Sequence, residues 1–403
     1  MDVLSGAAAG FLAAVALALA LPLPRTAKLA LLVVANLAFL ALHDRMAPGV
    51  FLAVSLAAFG LARLGARGIS GGLFALLAAP IAALLFLPKT GLFGTNPAAL
   101  ALTGFAREFA KAPAAFVASS YFTMRALHFA LDARREGKVP GTLLEMLAWN
   151  GFFPTLIAGP IERFGNFSQS LDRLGRPDFG DFTHGAWRIF VGVLKKVVLS
   201  ELFFELSRPL LDFGSPAGAA LGTGDAWLAL YAFGLYFYFD FSGYSDLAIG
   251  AGRICGIRLA ENFDNPYLRP NISEFWRTWH ISLSTWIRDY VFLPLCGRST
   301  GAWRPRAASV ASMVLCGLWH GPTLGWAVWG VFHGAALALH QSWTAWLRKR
   351  FQWKQRLAKS RVAFVASTLV TFHFLAIAWI WTAYAGAGLG TSLRYLARLF
   401  AIA

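Results

Sequence analysis

The chain has 403 residues, is 57% hydrophobic, 15% aromatic and 14% charged, and carries a net charge of +16. Soluble globular domains average about 25% charged residues, so a mean hydropathy of +0.57 excludes a soluble enzyme. The Phe and Trp content excludes a disordered chain, which leaves a polytopic membrane protein.

A spanning helix needs roughly 20 mostly apolar residues. Candidate spans fall near 3–22, 27–43, 47–64, 72–88, 112–131, 142–160, 188–206, 224–240, 242–257, 307–322, 324–346 and 362–385. They predict an all-α transmembrane bundle of about 10 to 12 membrane-crossing or re-entrant helices. The first has no basic stretch ahead of it and further apolar runs behind it, so it reads as a retained helix rather than a signal peptide. No repeat, low-complexity tract or long hydrophilic stretch interrupts the chain, and residues 1–403 read as one membrane domain. Basic residues sit between the apolar runs, as at Arg134, Arg135 and Lys138 and from Arg348 to Arg361. The positive-inside rule accounts for that placement without nucleic acid. Such a basic face also suits anionic lipids or an acidic partner protein.

The run FGLYFYFDFSGYSDLAIG at 233–250 carries Asp240 and Asp246 beside Tyr236, Tyr238, Ser242 and Tyr244. Intramembrane carboxylates are functional candidates by default. Pairing with Arg277 or Arg288 would instead make them struts of the bundle. From Arg258 to Arg306 the composition turns aromatic, polar and charged. Pro266 and Pro270 interrupt its start, and Asn271 or Ser273 caps a helix that enters Phe275 and Trp276. His280, Ser282, Ser284, Thr285, Arg288 and Asp289 follow. A lipid-facing helix carries such residues only at high cost. The segment therefore lies at the interface, is re-entrant, or lines a wet cavity.

His320 stands at the end of an apolar run, flanked by Gly317, Gly321 and Pro322 in LCGLWHGPTLGW. An imidazole within an apolar span is either paired or used, and its basicity suits taking a proton from a hydroxyl near neutral pH. A histidine that only bridges helices fits the same pattern. His280 is the second candidate, as a catalytic, channel-lining or interfacial residue. His333, in WGVFHGAALALH, reads as a packed polar bridge, and His43, His128, His184, His340 and His373 as structural. Cys255, Cys296 and Cys316 are too few and too scattered for a disulfide framework, and no close His, Cys and Asp cluster suggests a metal. Neither a nucleophile elbow nor a Walker A loop is present.

Taken in order, FFPTLIAGPIERFGNF, FYFDFSGYSDLAIG, ENFDNPYLRPNISEFWRTWHISLSTWIRDYVFLPL and GLWHG resemble the bacterial branch of the membrane-bound O-acyltransferases. That branch includes alginate O-acetyltransferases and the D-alanyl transfer proteins of teichoic acid synthesis. The resemblance spans roughly residues 120–345. The aromatic run is its specific part, and GLWHG alone would be weak.

The resemblance implies transfer of an acyl group, acetyl or D-alanyl, from a cytoplasmic thioester-type donor to hydroxyls of a cell-envelope polysaccharide or teichoic-acid-like acceptor. It places His320 as general base and His280 as the second catalytic position, holding the donor carbonyl or the acceptor. Trp279, Ser282, Asp240, Tyr244, Arg288 and Asp289 stand as substrate-binding candidates. No cofactor is bound in this reading. The donor is a phosphopantetheine-type thioester, on an acidic acyl carrier protein or coenzyme A. The acceptor or an accessory transferase lies outside, and the chain sits in the cytoplasmic (inner) membrane. The competing class is a transporter or flippase whose polar segment lines a substrate path. The lack of an internal two-fold repeat counts against it.

Overall fold

The computed structural model describes residues 6–86, 114–214, 221–297, 301 and 303–402. The ends of three expected spans, at 3–5, 87–88 and 112–113, lie outside them. The fold is all-α. Its first helices are α1 (Gly6–Ala20), α2 (Arg25–His43), α3 (Ala47–Ala66), α4 (Gly71–Ala83), α5 (Ala114–Glu136), α6 (Leu143–Asn150), α7 (Phe164–Ser170), α8 (Phe179–Val193) and α9 (Ser200–Leu211). There follow α10 (Thr223–Ile254), α11 (Ile272–Thr278), α12 (Ile281–Ile287), α13 (Leu293–Cys296), α14 (Trp303–His320), α15 (Leu324–Arg348), α16 (Phe351–Lys359), α17 (Arg361–Ala383) and α18 (Leu389–Leu399). Among these, α2, α3 and α17 are each long and apolar enough to cross a membrane, and α1 and α4 are shorter apolar helices.

The described residues of Met1–Thr95, Ala106–Val197 and Phe241–Glu261 form one compact unit. Here the expected span at 142–160 is not a spanning helix. A capping box starts α6: Thr142 Oγ1 accepts from Glu145 N, and Glu145 Oε2 accepts from Thr142 N. The helix then ends after eight residues. Gly151, Pro154, Gly159 and Pro160 prevent its continuation, because proline lacks the N–H and clashes with the preceding turn. Irregular backbone survives in apolar surroundings only when its polar groups are met internally. Asn36 meets both Ala148 O (3.0 Å) and Phe153 N (3.0 Å). Arg125, fully buried, donates to Trp149 O and to Thr155 Oγ1. The buried Glu162 carboxylate accepts from Ala260 N (2.8 Å), Arg163 N and Asn166 Nδ2.

In the same unit α8 packs backbone to backbone against the second half of α10. A Cβ on Gly185 would stand 2.9 Å from Gly250 O, and one on Gly192 would stand 2.7 Å from Gly243 O. Seven residues separate the glycines on each helix, so the two close approaches fall on one face of each.

The described residues of Val198–Asp240 and Asn262–Ala403 form the second unit. The two spans expected at 224–240 and 242–257 are one helix: α10 runs unbroken for 32 residues, because no proline interrupts the stretch. The span expected at 188–206 is instead α8, a π-helical turn at Leu194–Leu199, and α9. The basic stretch after Arg348 forms α16, and the chain closes in the amphipathic α18. That last helix is tied to the start of α10 by Tyr395 Oη donating to Ala226 O (2.7 Å) and Trp227 Nε1 donating to Leu399 O (2.9 Å).

Candidate active site

The polar segment folds as two short helices with His280 at their junction. Asn271 is the cap of the first, its Oδ1 accepting from Glu274 N at 2.9 Å, which settles the choice between Asn271 and Ser273. The helix stops at Trp279, and His280 adopts φ 42°, ψ 55°, the left-handed region. Few non-glycine residues sit there, and the surroundings must over-determine the conformation. Asn262 does so. Its carbonyl accepts from Ile281 N (2.9 Å), and its Oδ1 accepts from Ser282 N (3.2 Å) and Ser282 Oγ (2.9 Å).

His280 Nδ1 lies 3.2 Å from the same Asn262 Oδ1. A backbone N–H only donates, so Ser282 N fixes which end of the Asn262 amide faces the cluster. Nδ1 therefore carries the hydrogen. The neutral ring then holds its lone pair on Nε2, where it accepts rather than donates. The imidazole is buried, 2% exposed, and stacks on Phe263 with ring centroids 6.4 Å apart.

Trp279 is packed among Phe263, Tyr267, Phe275 and Trp379, with centroids 5.2–5.8 Å away. Tyr267 donates to Gly234 O (2.9 Å) and accepts from Trp379 Nε1 (3.1 Å). Phe275 and Trp276 lead on to His333, at 6.4 and 5.3 Å. Trp329 lies against both His333 (4.5 Å) and His320 (5.8 Å). An unbroken series of rings thus runs from His280 to His320. His333 is buried at its middle, as the packed reading has it. Its Nδ1 and Trp276 Nε1 are buried with no hydrogen-bond partner among the described residues. Such atoms call for a water or a substrate oxygen.

His320 ends α14, partly exposed, with Trp326 stacked on it at 4.9 Å. The two glycines of GLWHG make that stacking possible. A Cβ on Gly317 would lie 2.1 Å from Trp326 O, and one on Gly321 would lie 2.5 Å from Trp326 Cδ1. Gly321→Ala is therefore expected to turn the indole away from His320. Misplacement of about 1 Å costs up to about 10²-fold in rate. The acyl transfer that the sequence resemblance implies should fall by that order while the thermal midpoint of the protein in detergent holds, and unchanged transfer would show that Trp326 does not position His320.

The other expected residues are spread. Ser282 belongs to the His280 cluster. Arg288 and Asp289 lie past the end of α12 and bond to each other at 2.8 Å. Asp240 is half-buried in the second unit. Tyr244 belongs to the first unit and donates to Pro154 O at 3.4 Å. Asp246 does not pair with Arg277 or Arg288. Its carboxylate bridges Arg188 and Lys195, the latter at 2.7 Å, and Arg188 also grips Glu261 with two bonds of 2.7 and 2.9 Å. It is a strut between α8 and α10. Asn262, Trp326 and Trp329 were not among the expected site residues. Asn262 stands in an irregular segment 18 residues from His280, and no local spacing connects them. The two tryptophans, three apart on the helix after GLWHG, share a face and were the readable signal.

The family model of the membrane-bound O-acyltransferases matches residues 108–381. A Pseudomonas aeruginosa protein named "Probable alginate O-acetylase AlgI" is 35% identical over 263 residues, 65% of this chain and 47% of that one. The peptidoglycan O-acetyltransferase of Helicobacter pylori is 29% identical over 292 residues, 66% of this chain and 53% of that one. The teichoic acid D-alanyltransferase of Bacillus subtilis is 29% identical over 274 residues, 64% and 66%. The chain spans about half the length of the alginate-type relatives it matches.

Proposed function

The chain belongs to the membrane-bound O-acyltransferase family, and from that premise we propose that it esterifies hydroxyls of a cell-envelope polysaccharide or teichoic-acid-like polymer, with acetyl as the transferred group. The observation that carries the reading is the unbroken series of ring contacts joining His280, pinned by Asn262, to His320 at the GLWHG turn. Higher identity to alginate-type acetylases than to the D-alanyl enzyme favours acetyl. D-Alanine is the second reading.

In the proposed step His320 takes the proton of the acceptor hydroxyl. The oxygen attacks the thioester carbonyl, the C–O ester bond forms, the C–S bond breaks, and the leaving thiolate receives the proton from His320. With its lone pair on Nε2, His280 accepts a hydrogen bond from a second, non-reacting hydroxyl of the acceptor, which suits holding the acceptor better than polarising the donor carbonyl. Trp279 and Ser282 keep that ring in place. Asp240, Tyr244, Arg288 and Asp289 are given no part in this step.

The protein sits in this proposal as a multi-pass protein of the cytoplasmic membrane. Its donor is a phosphopantetheine-type thioester on an acidic carrier protein or coenzyme A. Beyond Asp289 the sequence contains no Asp or Glu and twelve Lys and Arg, which suits a cytoplasmic basic face. Arg356→Glu with Lys359→Glu should weaken use of a carrier-borne donor about tenfold at low salt, and the difference should close at high salt. Donor kinetics unchanged at low salt would remove carrier docking on α16.

The whole reading is tested by mass spectrometry of groups released by mild base from envelope glycans of cells with and without the gene. Loss of ester-bound acetate in the deletion supports it. Loss of D-alanine instead names the other acyl group, and an unchanged ester profile overturns it.

A further inference from the structure

In the first unit, α1, α8 and the second half of α10 enclose a slot of about 610 Å³. Its size is that of a small-ligand site, but its lining is apolar. The single polar side chain on it, Tyr244, spends its hydroxyl on Pro154 O. A polar ligand would find no partners there, so burying one would cost several kcal/mol in order of magnitude. A hydrocarbon chain loses nothing.

No charged residue lines the slot itself, but the loop from Arg173 to Gly175 packs at the ends of the helices around it, with Gly175 against Leu19 of α1 and Gly256 against Arg173 O. Phe182 and Ile254 line the slot, and the residues just before them are Asp181 and Arg253. Asp181 is 2% exposed and is held by three guanidinium groups: Arg173 (3.2 Å), Arg253 (2.9 Å) and Arg258 (2.9 Å). Asp178 adds a second, exposed carboxylate near Arg173 and Arg258. Three arginines facing two carboxylates leave an excess of positive charge, and the Arg173 and Arg258 side chains are about half exposed. Guanidinium forks match phosphate oxygens in pairs.

We infer that this slot holds one acyl chain of an anionic phospholipid whose phosphate rests on Arg173 and Arg258. The apolar lining selects the chain, and the arginine cluster at the ends of its helices selects the headgroup. The inference does not depend on the acyl-transfer reading.

The test is native mass spectrometry of the full chain in detergent with added phosphatidylglycerol or phosphatidylcholine. One phosphatidylglycerol per chain is expected to be retained at least tenfold better than phosphatidylcholine. Ala13→Trp, an exposed position lining the slot, should cut that retention about tenfold with the thermal midpoint in the lipid-free detergent unchanged. Arg258→Gln leaves Asp181 two arginines and should remove the preference between headgroups. Equal retention of the two lipids by the natural protein, or full retention in Ala13→Trp, overturns the inference. Inorganic phosphate stabilising the protein as strongly as phosphatidylglycerol, in both the natural protein and Ala13→Trp, would make this a free-anion site and overturns it as well.

Discussion

His320→Ala is expected to lower acyl transfer by about 10²–10⁴-fold, the range supplied by a positioned general base, while the protein stays folded in the membrane. The two halves of this result have separate causes. The imidazole is the only titratable group on the GLWHG turn, and nothing else there takes a proton near neutral pH. Its ring contacts include Trp319, a stacked face on Trp326 and an edge on Trp329. Because the residue is partly exposed, truncation opens no closed cavity, and the cost to stability is small. Membrane abundance by immunoblot and ester formation by mass spectrometry separate the two. An abundant variant with natural transfer would remove His320 as the base.

Asp246→Ala should act in the opposite way, on the fold before the chemistry. The Asp246 carboxylate is buried and bridges Arg188 and Lys195. Removing it leaves Arg188 to Glu261 alone and takes from Lys195 its carboxylate, where α8 and α10 meet through Gly192 and Gly243. Breaking a buried pair in this way costs about 3–5 kcal/mol. Arg188 and Lys195 are each about one-fifth exposed, so the lower end, about 3 kcal/mol, is expected here. That is a large part of a typical total of about 5–15 kcal/mol. The thermal midpoint in detergent should drop and less protein should reach the membrane. Asp246→Ala combined with Lys195→Ala should recover part of the loss, since one unpaired charge is gone. A midpoint equal to that of the natural protein would show the bridge to be idle.

Asp246 also shows where the sequence was legible and where it was not. Its isolation in an apolar run marked it as either functional or paired. The partner is set by how α8 and α10 align, and that alignment rests on glycines seven apart on each helix, a long-range fact. Arg277 and Arg288, nearer in sequence, offered the wrong partners. The stretch 142–160 departs from a spanning helix for a related reason. Its composition is apolar enough for a span, but Gly151, Pro154, Gly159 and Pro160 break it. The groups that make the broken backbone tolerable, Asn36 and Arg125, come from other helices.

GLWHG and the aromatic run were readable because their chemistry is local. A histidine between two glycines in an apolar helix and a polar segment that lipid would not tolerate each stand out without knowledge of the fold. What stayed hidden was the arrangement: the left-handed turn at His280, the Asn262 amide that holds it, and the tryptophans that lead from it to His320.

The most direct test of the central claim uses inside-out membrane vesicles from cells making the chain, supplied with a thioester donor labelled in its acetyl group. The account predicts that label leaves the thioester and appears in base-labile ester one for one, and that vesicles with His320→Ala do neither. Label entering the vesicle as intact thioester, with no ester formed, would contradict it and make the chain a transporter.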